Sequence, residues 1–220
     1  MEIAIVGPGR IGGDVVARRL TAGGHHVTLC FSRDQPKLAE LAADVGASAA
    51  APREAVLGAE VVVIAVPWSA IPDALEQAGS LEGKVVIDTT NQFGSGPMPA
   101  QGQTAAAFNA ARMPGARYTK SFNTLTAAFQ VEVADRSSET KVVQWICGDD
   151  AQAKQIVSGL IEQAGYVPVD LGGTQGCEVM EAPRRPGAVY GEEWRLPEAL
   201  EVAAAVREGR PIPDTPQYTG

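Results

Sequence analysis

A chain of 220 residues is long enough for one full α/β domain and a smaller appendage, and 45% hydrophobic with 20% charged side chains is ordinary for a globular protein. A net charge of −8 argues against nucleic acid as a partner. No apolar run reaches the roughly 18–20 residues of a membrane span, and the first apolar stretch runs straight into a glycine turn, so neither an anchor nor a cleavable leader is expected.

Residues 2–6 (EIAIV) read as a buried strand. Gly7-Pro8-Gly9-Arg10-Ile11-Gly12 comes next, then an apolar helical pattern through Leu20. Strand, Gly-x-Gly-x-x-Gly and helix in that order form the dinucleotide-binding fingerprint. Gly7 permits the tight turn, Gly9 lets the backbone approach a pyrophosphate, and Gly12 lets helix and strand pack closely. The amides around Arg10 and Ile11, at the helix start, are placed to hold phosphates.

HVTLCF (26–31) is the second strand, a helix is predicted from Pro36 to Val45, and a short strand near Ser48–Ala50 precedes a helical piece opening at Pro52. VVVIAV (61–66) reads as a strand buried on both faces. Pro67-Trp68 leads into a helix near Ile71–Gln77, and KVVIDTT (84–90) is the fifth strand. Residues 91–103 read as a loop at the mouth of the sheet. A helix over Thr104–Ala111 and a strand over 116–122 come next, and Val131–Thr140 reads as a polar surface loop. A strand over 141–148, a helix capped by Asp149 and Asp150 and running to Ala164, and a strand over 167–171 complete the clear pattern. Leu196–Arg207 is a closing helix, and the proline-rich tail from Pro211 is expected to be loosely held. The alternation implies a Rossmann-type, doubly wound and mostly parallel α/β sheet, divided into residues 1–140 and a smaller C-terminal portion over 141–220.

Cys30, Cys147 and Cys177 are far apart in sequence with no C-x-x-C pair, so buried thiols in a reducing cytoplasm are expected. The two histidines are adjacent, which argues against a metal site.

The residues after the second strand choose between nicotinamide cofactors. NAD-selective sites place an acid about 20 residues past the glycines. Here Ser32 and Arg33 stand at that point, with Lys37 one helical turn on. A hydroxyl and cationic groups suit a 2′-phosphate, so NADP is expected over NAD. The alternative is a solvated polar turn.

Ligands of open α/β sheets bind beyond the carboxyl ends of the strands. That edge gathers the glycine turn, Ser32–Arg33, Val66-Pro67-Trp68, and the amides Asn91 and Asn123. Trp68 reads equally as a cofactor contact or as packing. Lys120 precedes Asn123 by three residues, but in a strand such residues face opposite ways, so it is left out of the site. No side chain stands out as a general acid or base, which favours an acceptor that takes a hydride without one, such as a flavin-like ring.

Several segments in order carry a resemblance: GPGRIGG (7–13), SRDQPK (32–37), VVVIAVPWSAI (61–71), NTLTAAF (123–129), ICGDD (146–150) and VPVDLGG (167–173). The chain resembles the NADP oxidoreductases dependent on coenzyme F-420, a 5-deazaflavin. The resemblance implies hydride transfer between NADPH and the deazaflavin. It implies cofactor contacts at Gly9–Gly12, Ser32, Arg33 and Lys37, at the Pro67-Trp68 loop and at Thr126-Ala127, and a homodimer formed through the C-terminal part. The chain departs from the pattern after Glu181, where APRRPGAVYGEEW is polar and proline-rich. There Arg184 and Arg185 are candidates to meet an anionic acceptor, and Tyr190 and Trp194 to line its pocket. Two further readings stand beside this one: an NADPH-dependent reductase of another small-molecule acceptor (a flavin, quinone, imine or ketone), and a non-catalytic NADP-binding module.

Overall fold

The computed structural model describes residues 1–218. Six parallel strands form the main sheet in the order β3-β2-β1-β4-β5-β6: β1 (Glu2–Val6), β2 (His26–Cys30), β3 (Ser48–Ala49), β4 (Val61–Ile64), β5 (Val85–Asp88) and β6 (Arg117–Lys120). This is the doubly wound dinucleotide-binding order, and its switch point lies between β1 and β4. The expected Rossmann-type sheet is present.

The strands alternate their side chains between two cores. Ala4, Val6, Val62, Ile64 and Val86 face one side, covered by α3 (Pro52–Gly58), α4 (Ile71–Ala78) and α5 (Ala105–Ala111). Ile3, Ile5, Val61, Val63, Val85 and Ile87 face the other, covered by α1, α2 (Gln35–Val45) and α7 (Ala151–Gln163). Helix α1 starts as a wide π-type winding over Arg10–Ala17 and ends as α-helix over Arg18–Ala22. Asp150 caps α7 by accepting from the Ala153 amide at 2.9 Å, as its position in the sequence predicts.

Strands β7 (Val143–Ile146) and β8 (Val167–Asp170) pair in parallel as a second small sheet. It joins the main sheet through reciprocal backbone bonds between Lys120 and Cys147, at 2.9 and 3.2 Å. Helix α8 (Glu198–Glu208) buries Ala199, Val202 and Ala203 in the first core beside Trp145 and Trp194.

Four expectations need correction. Strand β2 ends at Cys30, because Phe31 turns into the left-handed region (φ 61°) and breaks the ladder. Residues 127–133 are helix α6 (Ala127–Val133), and the loop is confined to 134–140; Gln130 and Val133 are buried on the helix's inner face, a pattern too short to read from sequence. The tail is tied down: the Arg195 amide donates to the Tyr218 hydroxyl at 2.9 Å, and Ile212 packs on the core. Finally, Cys147 and Cys177 form a disulfide with Cα atoms 5.8 Å apart, and only Cys30 is a free thiol. The thiol-based argument for a reducing compartment therefore loses two of its three cysteines.

Candidate functional site

Gly7 makes the tight turn and Gly12 the close packing that the sequence predicts. Gly7 has φ 92°, and an added Cβ would lie 2.5 Å from Val66 Cγ1. At Gly12 a Cβ would meet the Gly7 carbonyl oxygen at 2.5 Å, so this glycine sets how closely α1 approaches β1. Gly9 is different. Its backbone is extended (φ −82°, ψ −159°), and a Cβ there would meet nothing within 4 Å. Its carbonyl starts the helix by accepting from Gly13 at 2.6 Å. The amides of Arg10, Ile11 and Gly12 fall in the first turn, where no helical carbonyl can serve them. They carry the positive end of the helix dipole toward the open side of Gly9.

Beside this turn runs a crevice of about 490 Å³ lined by Gly7, Gly9, Phe31, Ser32, Arg33, Val66, Pro67 and Asp73. It continues into a hollow of about 330 Å³ under Phe31, Ser32, Arg33, Gln35, Pro52 and Gln77. The trench therefore runs from the glycine turn to the ends of β2 and β3. Ser32 Oγ donates to the Asp34 carbonyl at 3.1 Å and fixes the turn. Asp34 is withdrawn from ligand duty: it caps α2 by accepting from the Lys37 amide at 3.1 Å. Arg33 is exposed at the junction of the two hollows.

Three sequence candidates have protein contacts of their own. Lys37 is exposed, with Nζ 3.4 Å from Asp34, and lines neither hollow. Trp68 is 2% exposed; its indole N–H donates to the Pro97 carbonyl at 2.8 Å and its ring stacks on Phe108. Of the two readings of Trp68, packing is the one the structure holds, and Val66 and Pro67 carry the lining. Thr126 Oγ1 accepts from the Phe129 amide at 3.3 Å, capping α6, with Ala127 as its first residue. Phe31 and Asp73 line the crevice and were not anticipated. A left-handed phenylalanine leaves no mark in a sequence.

The amides Asn91 and Asn123 come together at the neighbouring strand ends. Asn91 Nδ2 donates to the Asn123 carbonyl at 2.8 Å, and Asn123 Nδ2 donates to Asn91 Oδ1 at 3.1 Å and to the Met180 carbonyl at 2.7 Å. Asn123 Oδ1 is buried without a protein partner. Gln92 Nε2 reaches the Ala182 carbonyl at 2.8 Å. The segment Met180–Ala182, where the sequence leaves the family pattern, is thus stitched to this edge.

Below it lies a buried polar cluster that sequence reasoning missed. Asp88 Oδ2 accepts from Tyr118 OH at 2.6 Å and from Asn109 Nδ2 at 2.8 Å, while its Oδ1 accepts from the Thr90 amide at 2.8 Å. Lys120 is fully buried, with Nζ 3.6 Å from Asp88 Oδ2 and donating to the Thr90 carbonyl at 2.6 Å. Burial alone would raise the Asp88 carboxyl; the Lys120 charge and the donors Tyr118 and Asn109 outweigh it and hold the group below the usual range. Glu181 accepts from the amides of Ala105 and Ala106, at 2.8 and 2.7 Å, and burial pushes its carboxyl up.

The C-terminal candidates each have protein partners. Arg185 donates to the carbonyls of Glu181, Pro183 and Glu178, and Arg184 Nε pairs with Glu192 at 2.6 Å. Trp194 is buried against Trp145. Tyr190 remains partly exposed, edge-on to the exposed Phe93 with ring centroids 6.1 Å apart. Among the described residues no group of three or more His, Cys, Asp and Glu side chains is placed to hold a metal, and no helix is long and apolar enough to cross a membrane.

Residues 2–92, which build the glycine turn, the crevice and the Asn91 edge, match the family model described as "NADP oxidoreductase coenzyme F420-dependent". The match covers the N-terminal part of the chain, less than half of its length. Among curated proteins, the chain is 27% identical to the metalloreductase STEAP3 of Rattus norvegicus over 206 residues, covering 93% of this chain and 40% of the relative. The chain therefore spans less than half the length of that relative. Among solved structures, it is similar to a hypothetical protein, SMa0349, from Sinorhizobium meliloti (TM-score 0.77, 28% identity, 88% of this chain and 95% of the other). It shares its fold with a candidate F420-dependent NADP-reductase from Arthrobacter sp. FB24 (TM-score 0.69, 24% identity, 96% of each chain).

Proposed function

We propose that this chain binds NADPH along the trench and passes hydride between it and a small-molecule acceptor, with a 5-deazaflavin of the coenzyme F-420 type as the acceptor favoured by the family match. The observation that carries the reading is the open side of Gly9. An added Cβ meets no protein atom there, although both neighbouring glycines of the motif are hemmed in. That space, beside unserved helix amides, fits a pyrophosphate.

The residues fit the whole nucleotide. Gly9 and the amides of Arg10, Ile11 and Gly12 hold the diphosphate. The exposed guanidinium of Arg33, beside the turn that Ser32 fixes, meets a 2′-phosphate, a dianion with strong acceptor oxygens. Val66 and Pro67 wall the crevice, and this reading assigns Asn91, Asn123 and the Thr126-Ala127 turn to the nicotinamide end. When bound, NADPH supplies the hydride. The chain's task is to hold the ring face open to the acceptor and keep competing water away. The acid that lines the crevice, Asp73, also lines the second hollow with Arg33, at the adenosine end. The nicotinamide end is left without an acid or base among these residues, which suits an acceptor whose own ring manages its protons.

The segment from Met180 onward, within the proposed C-terminal portion 141–220, forms the acceptor side, and a homodimer through this portion belongs to the same reading. A second acceptor class stands beside it: a flavin or another one- or two-electron carrier in place of the deazaflavin. The test is to mix protein and NADPH with a deazaflavin, with FMN, and with no acceptor, following absorbance at 340 nm. Oxidation with the deazaflavin alone supports the favoured acceptor; oxidation with FMN alone replaces it. Binding of NADPH without oxidation by any acceptor would make the chain a cofactor-binding module.

A further inference from the structure

We propose that Lys120 is a positioning residue, clamping Thr90 so that the Asn91–Asn123 amide pair is presented to the nicotinamide carboxamide. The inference rests on the NADPH reading and adds to it a buried device outside the crevice.

A fully buried lysine is costly unless its charge is met and its donors are used. Lys120 Nζ meets both demands through Asp88, at 3.6 Å, and the Thr90 carbonyl, at 2.6 Å. Asp88 in turn accepts the Thr90 amide at 2.8 Å. The ion pair therefore grips Thr90 at both of its backbone polar atoms, one residue before Asn91. A well-packed apolar pair could replace the charges with little loss of stability. No apolar side chain can hold a carbonyl, so the grip on Thr90 is what the charges add.

The consequence is read at the next residues. With Thr90 held, Asn91 exchanges hydrogen bonds with Asn123, whose second donor bond goes to Met180. All the donors of the Asn123 amide are thereby committed, and Oδ1 is left buried with no protein partner. Buried side-chain acceptors are normally satisfied. The donor that this oxygen lacks is of the kind a carboxamide NH₂ provides. Phe122, just before it, takes a left-handed backbone (φ 58°), and strain of this sort gathers at sites that other contacts over-determine.

Three variants separate positioning from support of the fold. Lys120→Met leaves Asp88 buried and unpaired, so it is expected to melt early. The double variant Lys120→Met/Asp88→Asn removes both charges and is expected to recover most of the melting temperature. Asn91→Ala leaves the buried pair intact. Each is titrated with 2′,5′-ADP, which fills only the adenosine half, and with NADPH, and contacts to the bound nicotinamide protons are read by saturation-transfer NMR. The double variant and Asn91→Ala are expected to bind 2′,5′-ADP within twofold of wild type. Both are expected to lose about tenfold in NADPH affinity and to show weakened nicotinamide contacts. Wild-type NADPH affinity and an unchanged nicotinamide pattern in Asn91→Ala, or in a folded double variant, would overturn the clamp. A wild-type protein that binds neither ligand would overturn the NADP reading itself, and the clamp with it.

Discussion

The carbonyl oxygen of Gly7 lies where a side chain on Gly12 would have to start, 2.5 Å from an added Cβ, while Gly9, between them in sequence, faces open space. Two glycines of one motif thus fail in different ways. Gly12→Val is expected to separate α1 from β1 and to lower the melting temperature sharply, since backbone and Ile5 both stand in the way. Gly9→Ala is expected to melt like wild type, because its extended backbone accepts alanine. It is expected to bind NADPH about tenfold or more weakly, its methyl group standing where the pyrophosphate must approach. Thermal melts and cofactor titrations on the two variants check both halves.

Arg33 stands at the junction of the two hollows, with Asp73 across the same crevice. If the guanidinium meets the 2′-phosphate, Arg33→Ala is expected to weaken NADPH by about 10- to 100-fold, the worth of a charge-assisted hydrogen bond, and to leave NADH within about threefold. Equal losses for both cofactors would show that Arg33 does not read the phosphate. A gain in NADPH affinity in Asp73→Asn, larger than for NADH, is expected on the same grounds, since an anion would be removed from the phosphate's surroundings.

The pairing of Cys147 with Cys177 predicts a thiol count. Under denaturing, non-reducing conditions one cysteine, Cys30, is expected to react with a thiol reagent; three reactive cysteines would contradict the bridge. In the folded protein Cys30 is expected to be inert at pH 8, because burial pushes its thiol up to about 12. The bridge closes a loop of 30 residues, worth about 3–4 kcal/mol in the chain-entropy account. Reduction is therefore expected to lower the melting temperature measurably.

Asp88 sets a pH dependence of definite sign. Its carboxyl sits below the usual range when folded, so the stability it contributes is present above about pH 4, the unfolded value, and is lost as pH falls through the lower folded value. Asp88→Asn is expected to be the less stable protein at pH 7, with Lys120 left unpaired. The gap between the two is expected to narrow steadily below pH 4. Acid titrations of denaturant midpoints check this, and a gap independent of pH would contradict it.

Much of the first half was legible because its signals are local. The glycine spacing, the buried run at Val61–Ile64 and the cap at Asp150 each act within a few residues of where they are read. Ser32 and Arg33 could be located by counting from Gly12. What escaped depends on distant partners. Trp68 is taken by Pro97 and Phe108, Arg184 and Arg185 by Glu192 and three carbonyls, and Lys120 by Asp88 and Thr90. The alternation rule separates Lys120 from Asn123 along a strand, but β6 ends at Lys120 and the chain turns at Phe122, so both act on the same loop through Thr90 and Asn91.

The claim beneath all of this is that the trench between Gly9 and Arg33 holds NADPH. Isothermal titration of the folded, disulfide-intact protein with NADPH and with NADH measures it directly. The expected result is saturable heat from NADPH with one site per chain and affinity at least tenfold better than for NADH. Absence of heat from both at millimolar ligand, with melting temperatures unmoved, would contradict it.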